Sequence, residues 1–350
     1  MKLRKIAKSD IKELLRRSTA EYDVYAPFKA EGADVLFTVL PKNTEFESAL
    51  DKLALGSEWT VTSPKDIFFP QLDEMFTFDK NGVKTKLNKS KKLIFGVKPC
   101  DAKGILFADD FFKRNFEDAY YLSRIAERLI ITIGCLTPPR ADACFCTSAK
   151  TGPFMEKGFD LQLIDSGNDY LVEIGSTAGE NFISAYGDLF KKSQETDVEN
   201  GYKIKKEAAK AVKIKVDFDK AIELMKGDKV FEENYRRISE RCVYCGACLY
   251  VCPTCTCFNV FDDKTGDEGV RKRNWDACIL EGYTREASGH NPRKDKWLRA
   301  SRRYEHKLKY DYEVNGMSGC IACGRCLMSC PVKIGMSKFI EEITTDKKTM

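Results

Sequence analysis

The sequence predicts an α+β chain in two parts: a mixed α/β domain over residues 1–228 and a mainly helical domain over residues 229–350. Three observations carry that reading. An apolar strand, a helix and a second apolar strand follow one another between 93 and 133. A lysine-rich polar stretch runs from about 190 to 230 and marks the boundary. Beyond it stand two copies of one cysteine pattern: Cys242, Cys245, Cys248, Cys252, Pro253, and Cys320, Cys323, Cys326, Cys330, Pro331. A length of 350 residues suits two domains, and 43% hydrophobic residues suit a real core.

In chain order, Ser9 or Asp10 can cap a short helix through Arg17, and Asp34 to Leu40 reads as a strand. Leu93 to Val97 is an apolar strand broken by Pro99. Asp101 can cap a helix carrying Ile105, Leu106, Phe111 and Phe112. Leu129 to Ile133 is a second β-rich run, ended by Gly134, so the segment reads as a βαβ unit with parallel strands. Phe159 to Asp165 and Tyr170 to Ile174 flank Ser166-Gly167-Asn168-Asp169, a hairpin signal. Asp217 to Lys226 reads as a helix ended by Gly227. The rest reads as helical and cysteine-rich. There Trp297, Leu298, Ser301, Tyr304 and Leu308 share one helical face, with most of the neighbouring Arg and Lys elsewhere.

Both cysteine runs read C-x2-C-x2-C-x3-C-P, the spacing that wraps a [4Fe–4S] cubane in ferredoxin-type domains. A tight loop aims three thiolates at one cluster, and Gly246 and Gly324 let the backbone turn sharply beside it. In two-cluster ferredoxins the fourth cysteine ligates the other cluster. The expected sets are therefore Cys242, Cys245, Cys248 with Cys330, and Cys320, Cys323, Cys326 with Cys252. Nearly seventy residues separate the copies, far more than in a small ferredoxin. Zinc is the competing occupant, but it usually takes two C-x-x-C pairs without a trailing proline.

Cys100 and Cys135 each follow a predicted parallel strand, which places both at the carboxyl edge where open α/β sheets bind ligands. Cys144 and Cys146 follow in the next loop, so four thiols can converge on a third [4Fe–4S] cluster; buried structural thiols are the alternative. Cys255, Cys257 and Cys278 are one ligand short of a cubane and read as packing around the clusters or tuning them. His290 and His306 have no carboxylate partner evident in sequence and carry no catalytic role. No P-loop, G-x-G-x-x-G fingerprint or nucleophile elbow is present, so the chain offers no recognisable nicotinamide or flavin motif.

The net charge of +5 is modest, and two clusters at about −2 each would largely cancel it. The length, and the ferredoxin spacing of eight of the fifteen cysteines, place the chain in a reducing cytoplasm, as in an anaerobe, rather than among secreted disulfide scaffolds. The N-terminus lacks an apolar signal core, and no run reaches the roughly 18 apolar residues of a membrane span. The expectation is no direct membrane insertion and no nucleic-acid partner. The stretch Arg293 to Lys309, with Trp297 and Tyr304, has a composition that can grip single strands, which keeps an iron–sulfur nucleic-acid enzyme as a lesser alternative. Independent catalysis at Cys255, Cys257 and Cys278 is a further alternative, and none is expected from the isolated chain.

Several segments resemble a known family. They are Gly96-Val97-Lys98-Pro99-Cys100-Asp101-Ala102-Lys103, Cys144-Phe145-Cys146-Thr147-Ser148 with Thr151-Gly152-Pro153, Cys252-Pro253-Thr254-Cys255-Thr256-Cys257, and Gly289-His290-Asn291-Pro292-Arg293. They are similar to the family containing the A subunit of anaerobic sulfite reductase and the iron–sulfur beta subunit of cytoplasmic sulfhydrogenases. The resemblance spans residues 90 to 335 and leaves 1 to 90 without a signature. It implies an electron-transfer subunit between two partners: a subunit with FAD and a [2Fe–2S] cluster that oxidises NAD(P)H, and a terminal reductase or hydrogenase with sirohaem or nickel–iron. Related subunits also serve flavin-based complexes with heterodisulfide-reductase-like partners, which is the alternative assembly.

Overall fold

A computed structural model describes residues 3–32, 34–56 and 58–346. Its strands, in chain order, are β1 (Leu3–Ala7), β2 (Asp23–Lys29), β3 (Val35–Val39), β4 (Leu72–Asp79), β5 (Gly82–Thr85), β6 (Lys92–Val97), β7 (Arg128–Ile133), β8 (Leu161–Asp165), β9 (Asp169–Ile174), β10 (Lys191–Lys192), β11 (Phe258–Thr265) and β12 (Glu268–Trp275). Eight form one sheet in the order β10-β1-β9-β8-β7-β6-β2-β3. The four central strands β2, β6, β7 and β8 are mutually parallel, and the flanking pairs are antiparallel. Every residue of β6 is buried, as a parallel strand covered on both faces requires. One face packs on the helix Ile11–Ser18 through Leu14, Leu15, Leu93 and Ile131. The other packs on the helix Pro99–Arg114 through Ile94, Ile105, Ala108 and Phe112.

β6, the helix Pro99–Arg114 and β7 form the expected βαβ unit with parallel register. The expected cap is different. Pro99 occupies the first helical turn with Lys98 as the N-cap, so the helix opens earlier than Asp101 would have set it. Asp101 is thereby left free to bind a distant side chain. The hairpin β8–β9 forms at Ser166 to Asn168, and Asp217 caps the helix Phe218–Lys226 by accepting from the Lys220 N–H.

The region after 229 contains a long β-hairpin, β11–β12, that the helical reading did not include. Thr265-Gly266-Asp267-Glu268 turns it, with Gly266 at φ +60°. β12 pairs with β4, making a second, four-stranded antiparallel sheet β11-β12-β4-β5 from both halves of the sequence. Arg273 on β12 is buried against Asp73 at 2.9 Å and also meets Asp118, while Asp73 holds Arg124. The remaining C-terminal core joins the helices Phe218–Lys226, Glu232–Arg241, Lys296–Glu305 and Met336–Thr345, with Tyr304 stacked on Phe339 at 3.9 Å. The helix Lys296–Glu305 continues into one wide π-type turn, His306–Tyr310. Among the described residues no helix is long and apolar enough to cross a membrane.

Candidate metal centres

The two cysteine loops repeat one backbone conformation. Tyr244 and Ala322 sit at φ +54° and +56°, and Gly246 and Gly324 follow at +76° and +81°. Each glycine opens a single helical turn, Ala247–Tyr250 and Arg325–Met328. Positive φ at Tyr and Ala is strained backbone, held here twice at equivalent places. The turns bring the cysteines inward, and amide groups aim at sulfur: the Tyr244 N–H of the first turn donates to Cys242 Sγ, and the Met336 N–H, opening the helix Met336–Thr345, donates to Cys326 Sγ, each at 3.4 Å.

Two cavities result. Cys242, Cys245, Cys248 and Cys330 line the first, together with Cys326. Cys252, Cys320, Cys323 and Cys326 line the second. The fourth cysteine of each run thus borders the cavity of the other run. All fifteen cysteines are free thiols. Among the described residues no three His, Cys, Asp or Glu side chains close around a single metal ion.

Arg303 borders both cavities. It is 4% exposed, and its Nε has no hydrogen-bond partner. Burial alone would weaken its hold on the proton, but the thiols of Cys248, Cys326 and Cys255, with Tyr304, outweigh that and push its pKa up. Lys307, from the π-type turn, is equally buried and donates to Thr254 Oγ1 at 2.7 Å and to the Gly319 carbonyl at 3.0 Å. Burial opposes its charge as well, and Cys252 and Cys255 lead the groups that restore it. Three basic residues of this helix and its π-type turn, Arg299, Arg303 and Lys307, are thus buried. Their spacing of four was legible as one stripe, but basic residues at such a stripe usually face water. A buried cation needs an opposing anion. Two thiolate-bound clusters of about −2 each satisfy that need, so the donor sets, the cavities and the charge all fit [4Fe–4S] groups.

Burial pushes Cys248 up to about 11 and Cys320 up to about 12, as expected for thiols that are protonated before metal is bound, whereas the hydrogen bond with the Cys255 thiol holds Cys252 well below the usual range.

The structure also brings Cys100, Cys135, Cys144 and Cys146 together. Cys100 opens the helix after β6, Cys135 follows β7, and the other two lie in the long loop to β8. Cys135 interacts electrostatically with Cys100, Cys144 and Cys146. Gly152 closes the group: a Cβ there would lie 3.3 Å from Cys146 Sγ. This quartet adjoins the second cavity. Cys100 interacts with Cys323, the Phe145 N–H donates to the Ala322 carbonyl at 3.2 Å, and Thr151 Oγ1 donates to the Ile321 carbonyl at 2.6 Å. Arg325, between Cys323 and Cys326, makes a bidentate pair with Asp101 at 2.5 and 2.8 Å and donates to Thr60 at 3.0 and 2.7 Å. That pair joins the βαβ unit to the second cysteine loop, and sequence reading had no signal for it.

Cys255, Cys257 and Cys278 pack with Tyr283 against Cys242 and Cys248, and the Cys255 thiol hydrogen-bonds to that of Cys252. His290 is exposed, whereas His306 Nε2 lies 3.4 Å from Asp311 Oδ1, a carboxylate partner the sequence did not reveal.

Residues 241–334 match a family described as a 4Fe-4S dicluster domain. The chain is 32% identical over 298 residues to the sulfhydrogenase 2 subunit beta of Pyrococcus furiosus, covering 85% of this chain and 87% of that protein.

Proposed function

The chain belongs to the sulfhydrogenase beta-subunit family, and on that premise we propose that it relays single electrons between a flavin subunit that oxidises NAD(P)H and a terminal hydrogenase or reductase subunit. It is an iron–sulfur electron-transfer subunit with a two-cluster domain. In our reading Cys242, Cys245, Cys248 and Cys330 hold one [4Fe–4S] cluster, and Cys320, Cys323, Cys326 and Cys252 hold the other. Cys100, Cys135, Cys144 and Cys146 hold a third. Such groups take up and release one electron at a time without proton or atom transfer.

The chain's own residues supply three things. The paired positive-φ turns hold the thiols, and the Tyr244 and Met336 N–H groups face sulfur. Ile238, Ile279, Tyr304 and Ile334 wall the first cavity with apolar surface and keep water out. Arg303 and Lys307 place fixed positive charge where an added electron would reside. The observation that carries the proposal is the crossed lining of two cavities sharing a buried Arg303 whose Nε has no hydrogen-bond partner. The nucleic-acid alternative loses support, because Arg299, Arg303 and Lys307 are turned inward rather than toward a strand.

The test is anaerobic isolation of the complex from its native host, with identification of the co-purifying chains. A flavin subunit and a nickel–iron or sirohaem subunit are expected. In their presence NAD(P)H should bleach the visible absorbance of this chain, and the isolated chain should not respond to NAD(P)H. Co-purification with heterodisulfide-reductase-like chains alone would select the other assembly.

A further inference from the structure

The two cysteine loops share one backbone conformation and differ in what covers them. On the second loop the segment 143–151, which carries Cys144 and Cys146, lies directly against the backbone. The Phe145 N–H donates to the Ala322 carbonyl at 3.2 Å, and Thr151 Oγ1 donates to the Ile321 carbonyl at 2.6 Å. A Cβ on Gly324 would lie 2.5 Å from the Ala143 carbonyl oxygen. Ile321 and Ala322 are consequently 2% and 1% exposed.

The first loop has no such cover. Val243 holds the place of Ile321 and is 57% exposed. Among the described residues no donor of this chain meets the carbonyls of Val243 and Tyr244, the counterparts of Ile321 and Ala322. Cys245 is the one exposed cysteine of the fifteen, although it lines the first cavity. Val332, just beyond Cys330, is 40% exposed and adds apolar surface next to another cysteine of that cavity. The rim is polar. Arg241 pairs with Glu342 at 3.2 Å, the Tyr244 hydroxyl donates to the Lys296 carbonyl at 2.8 Å and so holds exposed Lys296 beside the loop, and Lys333 is exposed after Val332. An apolar centre inside a polar rim is the make-up of a protein interface.

We propose that this bare loop is the docking face for a partner redox subunit, which seats a donor-bearing loop on the Val243 and Tyr244 carbonyls as segment 143–151 seats on those of Ile321 and Ala322. The inference rests on the relay reading and adds to it the place where one partner meets this chain. The occupant follows from the repeat. The covered loop is covered by a segment with cysteines of its own, a redox group in our reading, and the bare loop leaves the same position open to a redox group from another chain. A second copy of this chain, docked about a two-fold axis, would set bare carbonyls against bare carbonyls with no donor between them. Through the contact one electron passes between the first cluster and the partner's redox group. One of the two is oxidised, the other is reduced, and no bond forms or breaks.

The test isolates the tagged full-length chain from its native host without oxygen, unsubstituted and as Val243→Glu, Val332→Glu and Lys296→Glu, with Val260→Glu on the exposed β11–β12 hairpin as control. Four readouts are taken: iron per chain, the identity of the co-purifying chains, turnover from NAD(P)H to the terminal subunit, and bleaching by dithionite. In Val243→Glu and Val332→Glu, iron and dithionite bleaching should be retained, one of the two redox partners lost, and turnover reduced at least about tenfold. Lys296→Glu should weaken the same partner in a salt-dependent way, and Val260→Glu should change nothing. Val243 lines the first cavity and Val332 does not, so Val332→Glu decides if Val243→Glu loses iron. Full retention of both partners and of turnover in Val332→Glu and Lys296→Glu would overturn the docking face. Loss of a second copy of this chain, rather than of a redox partner, would overturn it as well. An unsubstituted chain that brings down no redox partner would instead sink the relay reading itself.

Discussion

Replacing Arg303 with methionine removes a positive charge from the wall shared by both cavities while keeping most of the side-chain volume. The added electron on either cluster loses that attraction, so both midpoint potentials must fall. A unit charge about 6 Å away, at an effective dielectric of about 20, is worth about 3 kcal/mol. For a one-electron couple that corresponds to a fall of about 120 mV. Lys307→Met is the internal contrast. Lys307 borders the second cavity and not the first, so its removal should move the potential of one cluster far more than the other. Arg303→Lys keeps the charge and should recover most of the shift. The assay is anaerobic redox titration followed by electron paramagnetic resonance. A rise in either potential in Arg303→Met, or equal shifts of both clusters in Lys307→Met, would refute the electrostatic reasoning.

Three further outcomes follow from the geometry. Asp101→Ala leaves the Arg325 guanidinium buried without its carboxylate, and should lower unfolding stability by about 3–5 kcal/mol in anaerobic denaturant titration; a change within experimental error would show that the pair does not join the two regions. Gly324→Ala should impair cluster loading more than Gly246→Ala. Both glycines have positive φ, but the new Cβ would meet the Ala143 carbonyl oxygen at 2.5 Å at Gly324 and only the movable Tyr250 ring at 3.0 Å at Gly246; iron content reads the difference. Because burial holds Cys144 near about 11 and Cys146 and Cys320 near about 12, these thiols are protonated in the empty chain at neutral pH. Each must lose a proton when iron binds, so reconstitution should release protons and strengthen as pH rises from 6.5 to 8.5, as read in a pH-stat; pH-independent uptake would contradict the ligand assignment.

Much of the site was legible because metal ligation leaves rigid spacing in sequence. The two C-x2-C-x2-C-x3-C-P runs named the eight thiols that line the cavities, and the parallel βαβ unit anticipated the meeting of Cys100 and Cys135 at one sheet edge. Local rules failed where tertiary contacts decide. The hairpin β11–β12 has a turn at Thr265 to Glu268, but its place in a sheet depends on β4, nearly two hundred residues earlier. Asp101 was read as a cap, since the first turn of a helix favours carboxylates and nothing local announces Arg325. Arg299, Arg303 and Lys307 were read, with most of their basic neighbours, as lying off the apolar face. Their inward direction follows from the thiols packed against them, and that is a property of the assembled fold.

The most direct test of the crossed arrangement uses four single variants purified without oxygen: Cys242→Ala, Cys330→Ala, Cys320→Ala and Cys252→Ala. Reduced-state electron paramagnetic resonance should show Cys242→Ala and Cys330→Ala altering one cluster, and Cys320→Ala and Cys252→Ala altering the other, with magnetic coupling between the two in the unsubstituted chain. If Cys330→Ala perturbs the same cluster as Cys320→Ala, or if the unsubstituted chain carries zinc and no iron, the central claim is wrong.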